Sequence, residues 1–413
     1  MAPAGVRAPM RLWIDTASTA QAEALFGLPS LERLRRSVDK RIAPRTVWLS
    51  GCPLAPSAWP DATIDVDTTA LGRRLRRALS DGPLVALDSS NVIDPRLIDF
   101  LLAAEDAPSC LASRGQGQHR AVALLLHPDV LDAIPEDAKT LRDVADALVA
   151  AARIAPLDET KFPAYINKLR RTLPYWLYAV PDVNTRQQLQ RQMFWDNYKG
   201  STDLLTRYVY PPLVWPLVRL CVWLRIHPNT VTVLSILLAI AVVPLFMAGH
   251  FAYGFLCAYT MSVLDSVDGK LARLTLTDSK IGNALDHGTD IVHPPFWYFA
   301  FAWGLGAQTT SHPLYQAAIW LTVFYIADRI VLGIAKYRLG FALHAATRLD
   351  AWVRSFIARR NITMSIMALS VLVGEGAIGL YLITAWQGLT FFWHSARTLW
   401  LGFLAPHRAR PAA

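Results

Sequence analysis

The stretch DSVDGKLARLTLTDSKIGNALDHGTD, residues 265–290, holds four carboxylates, Asp265, Asp268, Asp286 and Asp290, with Gly269, Ala272, Arg273 and Gly282 between them. Helical positions three and four apart share a face. Asp265, Asp268 and Ala272 therefore fall on one side of a first helix, and Gly282, Asp286 and Asp290 on one side of a second. Packed together, two such helices bring four acidic side chains to one spot, beside small residues that leave room for a ligand.

Four carboxylates in one pocket repel, and some would take up a proton unless cations neutralise them. Mg²⁺ and Mn²⁺ are hard ions that prefer oxygen ligands. Two such ions about 3.5–4 Å apart form a common clamp for in-line displacement at phosphorus. Both acidic clusters adjoin long apolar runs, so the expected site lies at a membrane surface.

The string Asp265-x-x-Asp268-Gly269-x-x-Ala272-Arg273, followed by Gly282-x-x-x-Asp286-x-x-x-Asp290, resembles the signature of the CDP-alcohol phosphatidyltransferase family at every position. The resemblance covers roughly the second half of the chain. It implies a six-helix integral membrane enzyme of phospholipid synthesis, in which an acceptor alcohol displaces CMP from a CDP-linked alcohol. By position, Asp265, Asp268 and Asp286 would be ligands of two Mg²⁺ or Mn²⁺ ions, and Asp290 both ligand and general base. Gly269, Ala272 and Arg273 would line the cytidine diphosphate site, and Gly282 would allow close approach.

The rest of the chain divides by composition. Of 413 residues, 53% are hydrophobic and 18% charged, and the charges crowd the first part while long apolar runs begin after about residue 208. The net charge of +9 fits a nucleic acid or an anionic membrane. Scattered basic residues without a compact basic arm favour the membrane and exclude nucleic acid as the expected partner. Cys52, Cys110, Cys221 and Cys257 show no paired spacing, which argues against a disulfide framework or zinc site. The opening MAPAGVRAPMRLWID lacks a long apolar core, so the first part is expected in the cytoplasm.

Three regions are expected. Residues 1–180 read as a cytoplasmic α/β domain, with apolar strands at Leu12–Ile14, Thr46–Leu49, Leu84–Leu87 and Ala121–Leu126 alternating with helices at Ser30–Lys40, Leu71–Leu79, Pro95–Ala104 and Leu141–Ile154. That alternation predicts a parallel, doubly wound sheet. The segment also resembles a sugar-phosphate nucleotidyltransferase. However, Asp15-Thr16-Ala17-Ser18-Thr19-Ala20 lacks the glycines that would cradle a triphosphate, so catalysis there is not expected. Asp88 reads either as a metal ligand or, more simply, as a turn residue. Residues 181–226 form a juxtamembrane connector broken by Pro211, Pro212 and Pro216.

Residues 227–413 carry six apolar segments, Thr230–Ala248, Phe251–Leu264, Ile291–Ala307, Leu314–Ala335, Ile362–Val373 and Ala377–Trp393. Alternate linkers lack Lys and Arg, while the opposite side is basic, which puts both termini and the aspartates on the cytoplasmic side of the inner membrane. Asn229 and Thr232 open the first span and read as nucleotide contacts, or as helix caps. Pro294 and Pro295 are expected to kink the third span. Asp328 and Arg329, inside the fourth, read as functional or as a structural pair. His287 and His293 more often pack than bind metal. Arg360, before Asn361, is the best candidate for an acceptor's phosphate. A homodimer is compatible with this reading. Two other classes compete, a catalytically silent scaffold and a divalent-cation transporter. The fixed spacing of Gly269, Ala272 and Arg273 disfavours the transporter, and the complete aspartate set disfavours the scaffold.

Overall fold

The computed structural model describes residues 10–17, 24–39, 47–51, 59, 62–104, 107–180 and 182–405, with the backbone alone at 118, 280, 281 and 283–287. The chain forms two compact units, residues 1–164 with 173–193, and residues 165–172 with 194–413.

The first unit is built on a seven-stranded sheet. Its strands are β1 (Arg11–Asp15), β2 (Val47–Ser50), β3 (Thr63–Asp65), β4 (Leu84–Asp88), β6 (Cys110–Arg114), β7 (Ala121–Leu126) and β8 (Ala155–Pro156), while β5 (Asn91–Ile93) pairs apart with β11 (Leu177–Ala179). Side chains alternate along β1, so Leu12 and Ile14 meet α1 (Ser30–Asp39) and α3 (Pro95–Ala103) on one face. Trp13 points to the other face, with α2 (Leu71–Ser80) and α4 (Leu141–Ala150). Helices thus cover both faces, as a doubly wound domain requires. The sheet order is β3-β2-β1-β4-β7-β6-β8.

The sheet is mixed, however, and not parallel throughout. β1 runs parallel to β2 and β4, but β7 runs antiparallel to both β4 and β6. The run AVALLL of β7 is fully buried. A continuous apolar strand reads alike in either direction, so alternation with helices could not reveal the reversal.

The second unit is helical. A short hairpin, β9 (Tyr165–Ile166) with β10 (Arg171–Thr172), groups with it. The helices are α5 (Val183–Asp196), whose last three residues belong here, α6 (Pro211–Trp223), α7 (Pro228–Met247), α8 (Phe251–Leu274), α9 (Lys280–Gly304), α10 (Pro313–Leu339), α11 (Arg348–Val353), α12 (Arg360–Leu372) and α13 (Gly376–Leu399). Each of the six apolar segments lies in its own helix. Among the described residues, two of them, α7 and α10, are long and apolar enough by themselves to cross a bilayer. The charged ends of α8 and α9 and the 13-residue length of α12 keep those helices below that mark.

The core of this unit joins Val242 and Phe246 of α7, Phe255 and Met261 of α8, Trp297 and Phe301 of α9, Leu321 of α10, Met367 of α12 and Ile383 of α13. α7 and α9 cross closely at both ends. A Cβ on Gly304 would stand 1.9 Å from the Phe246 carbonyl oxygen, and one on Gly282 would stand 2.9 Å from Asn229 Oδ1. Glycine is the residue that permits both approaches.

Candidate functional site

α8 continues as helix past its apolar stretch, and Ser279 caps α9 by accepting from the Gly282 amide at 3.0 Å. The two helices therefore present their acidic turns near the same end. α12 begins there as well. The Arg360 guanidinium donates to Asp265 Oδ2 at 2.6 Å through Nη2, and to Asp290 Oδ1 through Nη1. One cation thus joins carboxylates from two helices. The Asp290 side chain is 44% exposed against 21% for Asp265, so Asp290 is the more open of the two to solvent.

Asp268 is buried. Its Oδ2 accepts from Thr232 Oγ1 at 2.6 Å, while Oδ1 is enclosed with no hydrogen-bond partner among the described residues. Thr232 also donates to the Pro228 carbonyl at 3.2 Å, which ties it to the first turn of α7. Asn229 sits beside Gly282, and Arg273 lies over Gly269 with its Nε on Asn197 Oδ1 at 2.9 Å. The structure therefore groups Asp265, Asp290 and Arg360, pairs Asp268 with Thr232, and sets Asn229 against Gly282. Ala272 is half-buried on the same helix as Asp268. The side chains of Asp286 and His287 lie outside the described residues.

Among the described residues, no three His, Cys, Asp or Glu side chains stand close enough to hold a metal ion. The donor set nevertheless suits a hard divalent cation. Its atoms are all carboxylate oxygens, one of them buried and unpartnered, and Asp265 and Asp290 already accept a cation between them. An enclosed anionic oxygen without a partner is costly unless a cation meets it.

Several neighbours were not readable from spacing. Asn361 follows Arg360; its Nδ2 donates to Asp203 Oδ1 at 3.0 Å, and its Oδ1 accepts from Tyr210 at 3.2 Å. Lys199 keeps solvent contact but is crowded on several sides. That crowding, and then the positive charges of Arg170, Arg273 and Arg359, push its ammonium down to about 8. His293 packs on Trp297, with Nδ1 at 2.7 Å from the Thr289 carbonyl, as a packing histidine would. Asp328 pairs with His394 Nδ1 at 2.5 Å in the interior, which is the structural-pair alternative.

In the first unit, β1 and β4 meet at the point where the strand order reverses, the usual ligand crevice of an open α/β sheet. Arg74 fills it. Its Nη2 donates to Asp15 Oδ1 at 2.9 Å and its Nη1 to Ser50 Oγ at 2.9 Å. Asp88, opposite Asp15, accepts from Ser90 N at 2.8 Å and Ser90 Oγ at 2.7 Å, a turn-forming arrangement. Ser18, Thr19 and Ala20 lie outside the described residues.

Carboxylates from two helices, Asp265 of α8 and Asp290 of α9, thus meet on Arg360, with the buried Asp268 on the same helix as Asp265. Residues 225–400 match the family model for CDP-alcohol phosphatidyltransferase. Cholinephosphotransferase 1 of Rattus norvegicus is 29% identical over 188 residues, covering 40% of this chain and 45% of the rat protein. The Bos taurus protein of the same name is 28% identical over 188 residues, 44% of its length. The match thus spans less than half of these relatives. Phosphatidylinositol phosphate synthase of Mycobacterium tuberculosis, solved with CDP-DAG bound, superposes with a TM-score of 0.38 at 18% identity, covering 48% of this chain and 98% of that one.

Proposed function

We propose that the helical unit is a membrane phosphotransferase in which an acceptor alcohol displaces CMP from a CDP-linked alcohol. The observation that carries this reading is the meeting of Asp265 and Asp290 on Arg360, beside Asp268 with its unpartnered oxygen. Asp265, Asp268, Asp286 and Asp290 would hold two Mg²⁺ or Mn²⁺ ions, whose charge would offset that of the diphosphate. The acceptor oxygen attacks the phosphorus next to the donor alcohol, the bond from that phosphorus to the CMP oxygen breaks, and Asp290 takes the hydroxyl proton. The exposure of Asp290 suits a base that must reach an incoming hydroxyl. General-base catalysis of this kind supplies about 10²–10⁴-fold. Gly269 and Gly282 leave space for the nucleotide, with Asn229 and Arg273 beside them.

The six helices that carry the apolar segments, α7, α8, α9, α10, α12 and α13, would together cross the inner membrane, with the aspartates on the cytoplasmic side. Their outward faces carry exposed Leu237, Ile240, Leu256, Ile330, Leu372 and Phe392, a surface that suits lipid. The first unit, lacking glycines at residues 15–20, would not transfer nucleotides. A dimer is compatible with this arrangement.

The acceptor class follows from charge. Arg170 of the hairpin, Lys199 and Arg359 bear on one another electrostatically, and among the described residues none has a carboxylate ion-pair partner. Unpaired cations beside the cleft favour a phosphorylated alcohol as acceptor. The likeness to cholinephosphotransferases favours a choline-type headgroup instead. Full-length protein with Mg²⁺, offered CDP-linked donors with phosphorylated and neutral acceptors, would separate these by CMP release. The reaction class requires that Asp290→Asn abolish release while the protein stays folded, and normal release by that variant would defeat it.

A further inference from the structure

α9 contains two adjacent prolines, Pro294 and Pro295. Neither has an amide hydrogen, so the helical hydrogen bonds they would donate, to the carbonyls of Asp290 and Ile291, cannot form. A carbonyl left unpaired inside a packed bundle is costly. Tyr325 of α10 supplies what the prolines remove. Its one hydroxyl hydrogen is shared between the Asp290 and Ile291 carbonyl oxygens, each 3.2 Å away.

Tyr325 is itself held. Arg329, one turn further along α10, donates through Nη2 to the Tyr325 hydroxyl oxygen at 3.1 Å, and its guanidinium lies 4.9 Å from the centre of the ring. A cation donating to that oxygen polarises the hydroxyl and strengthens it as a donor toward the two carbonyls. The intramembrane charge of Arg329 thereby has an assigned partner. The Tyr325 ring also packs edge-on to Tyr298 of α9, 6.3 Å between centres, so the hydroxyl has little freedom to leave.

The residue whose carbonyl is captured is the one whose carboxylate reaches Arg360. We infer that Tyr325 is a positioning residue for Asp290. By closing the turn that the prolines open, it fixes where the Asp290 carboxylate points relative to Asp265. Arg329 acts through Tyr325. The inference rests on the phosphotransferase reading for its kinetic consequence, but its structural part stands without it.

The test uses the full-length chain in lipid nanodiscs with Mg²⁺. Tyr325→Phe keeps the ring and removes the hydroxyl. Its kcat for CMP release should fall about tenfold to hundredfold, the scale of a small misplacement at a reacting centre, with KM for the CDP-linked donor little changed. Pro294→Ala restores an amide that can donate to the Asp290 carbonyl within the helix. Added to Tyr325→Phe, it should recover most of the lost kcat. Hydrogen exchange across residues 286–296 should rise in Tyr325→Phe and return in the double variant. Unchanged kcat and exchange in Tyr325→Phe would overturn the inference, as would a loss that Pro294→Ala fails to restore. If the wild type releases no CMP, the phosphotransferase reading fails, and the exchange pattern alone still decides whether Tyr325 braces the turn.

Discussion

Thr232 donates its hydroxyl hydrogen to Asp268 Oδ2 at 2.6 Å, and this one bond fixes which oxygen of Asp268 is left over. Oδ1 remains enclosed with no hydrogen-bond partner among the described residues. Thr232→Val keeps the shape and removes the donor, so the carboxylate can rotate and neither oxygen is reserved. A hydrogen bond to a charged group contributes about 1.5–3 kcal/mol. Mn²⁺ affinity, titrated by electron paramagnetic resonance on the full chain, should weaken by roughly tenfold or more. Unchanged affinity would mean that Asp268 does not depend on Thr232 for its orientation.

Gly282 and Gly304 sit at the two ends of the α7–α9 crossing but should respond differently to alanine. At Gly304 the obstacle is the Phe246 carbonyl oxygen at 1.9 Å, part of a rigid backbone. Gly304→Ala must push the helices apart, at a cost of about 1–3 kcal/mol or more. At Gly282 the obstacle is Asn229 Oδ1 at 2.9 Å, the end of a movable side chain. Gly282→Ala should leave the melting temperature nearly unchanged and raise KM for the CDP-linked donor, because Asn229 is displaced. Thermal unfolding and donor KM measured on both variants would show the contrast.

Helical spacing alone puts Asp265 and Asp268 on neighbouring turns of one helix, and both lie on α8. Partners across helices were not legible. Nothing in the spacing of Arg360 says that one guanidinium reaches both Asp265 and Asp290, since they lie 95 and 70 residues away. Pro294 and Pro295 lie inside the continuous helix Lys280–Gly304, where they leave two carbonyls without their helical donor. The sequence could not say that Tyr325 would be that donor. In the first unit the strands at Leu12, Leu84 and Ala121 were readable from their apolar runs, while the reversal of β7 was hidden by an apolar run with no directional mark. The hairpin at 165–172 groups with the helices although residues 173–193 belong to the other unit, and no local signal foretells that.

Arg74 and Asp15 form an ion pair buried on both sides, with side chains 4% and 7% exposed. Burial raises the Asp15 pKa, and Arg74 offsets that only in part. A carboxyl whose folded pKa lies above its unfolded value adds stability below the unfolded pKa and loses it as pH rises through the folded pKa. Strand β1 should therefore grow less protected from hydrogen exchange as pH rises above about 4, the ordinary range for Asp. Asp15→Asn should flatten that dependence. Arg74→Ala leaves the acid buried alone and should cost about 3–5 kcal/mol, whereas Arg74→Met with Asp15→Asn should cost far less. Exchange rates of the peptide spanning residues 10–17, corrected for intrinsic pH effects, provide the measurement.

Arg360 bridges Asp265 and Asp290 and offsets the repulsion between the two carboxylates. Its removal should make the fold depend on metal. Arg360→Gln leaves both acids without their shared cation, and a broken, partly buried pair of this kind costs about 3–5 kcal/mol. In chelator the variant should melt well below the wild type. With saturating Mg²⁺ the gap should close, because binding to the folded state alone stabilises by mass action. Transfer activity should fall even with the metal restored if Arg360 also touches the acceptor's phosphate, and the loss should appear in acceptor KM. Equal melting temperatures in chelator would show that the guanidinium carries no weight in holding the two helices together. A gap that Mg²⁺ leaves unchanged would separate the arginine from the metal site altogether.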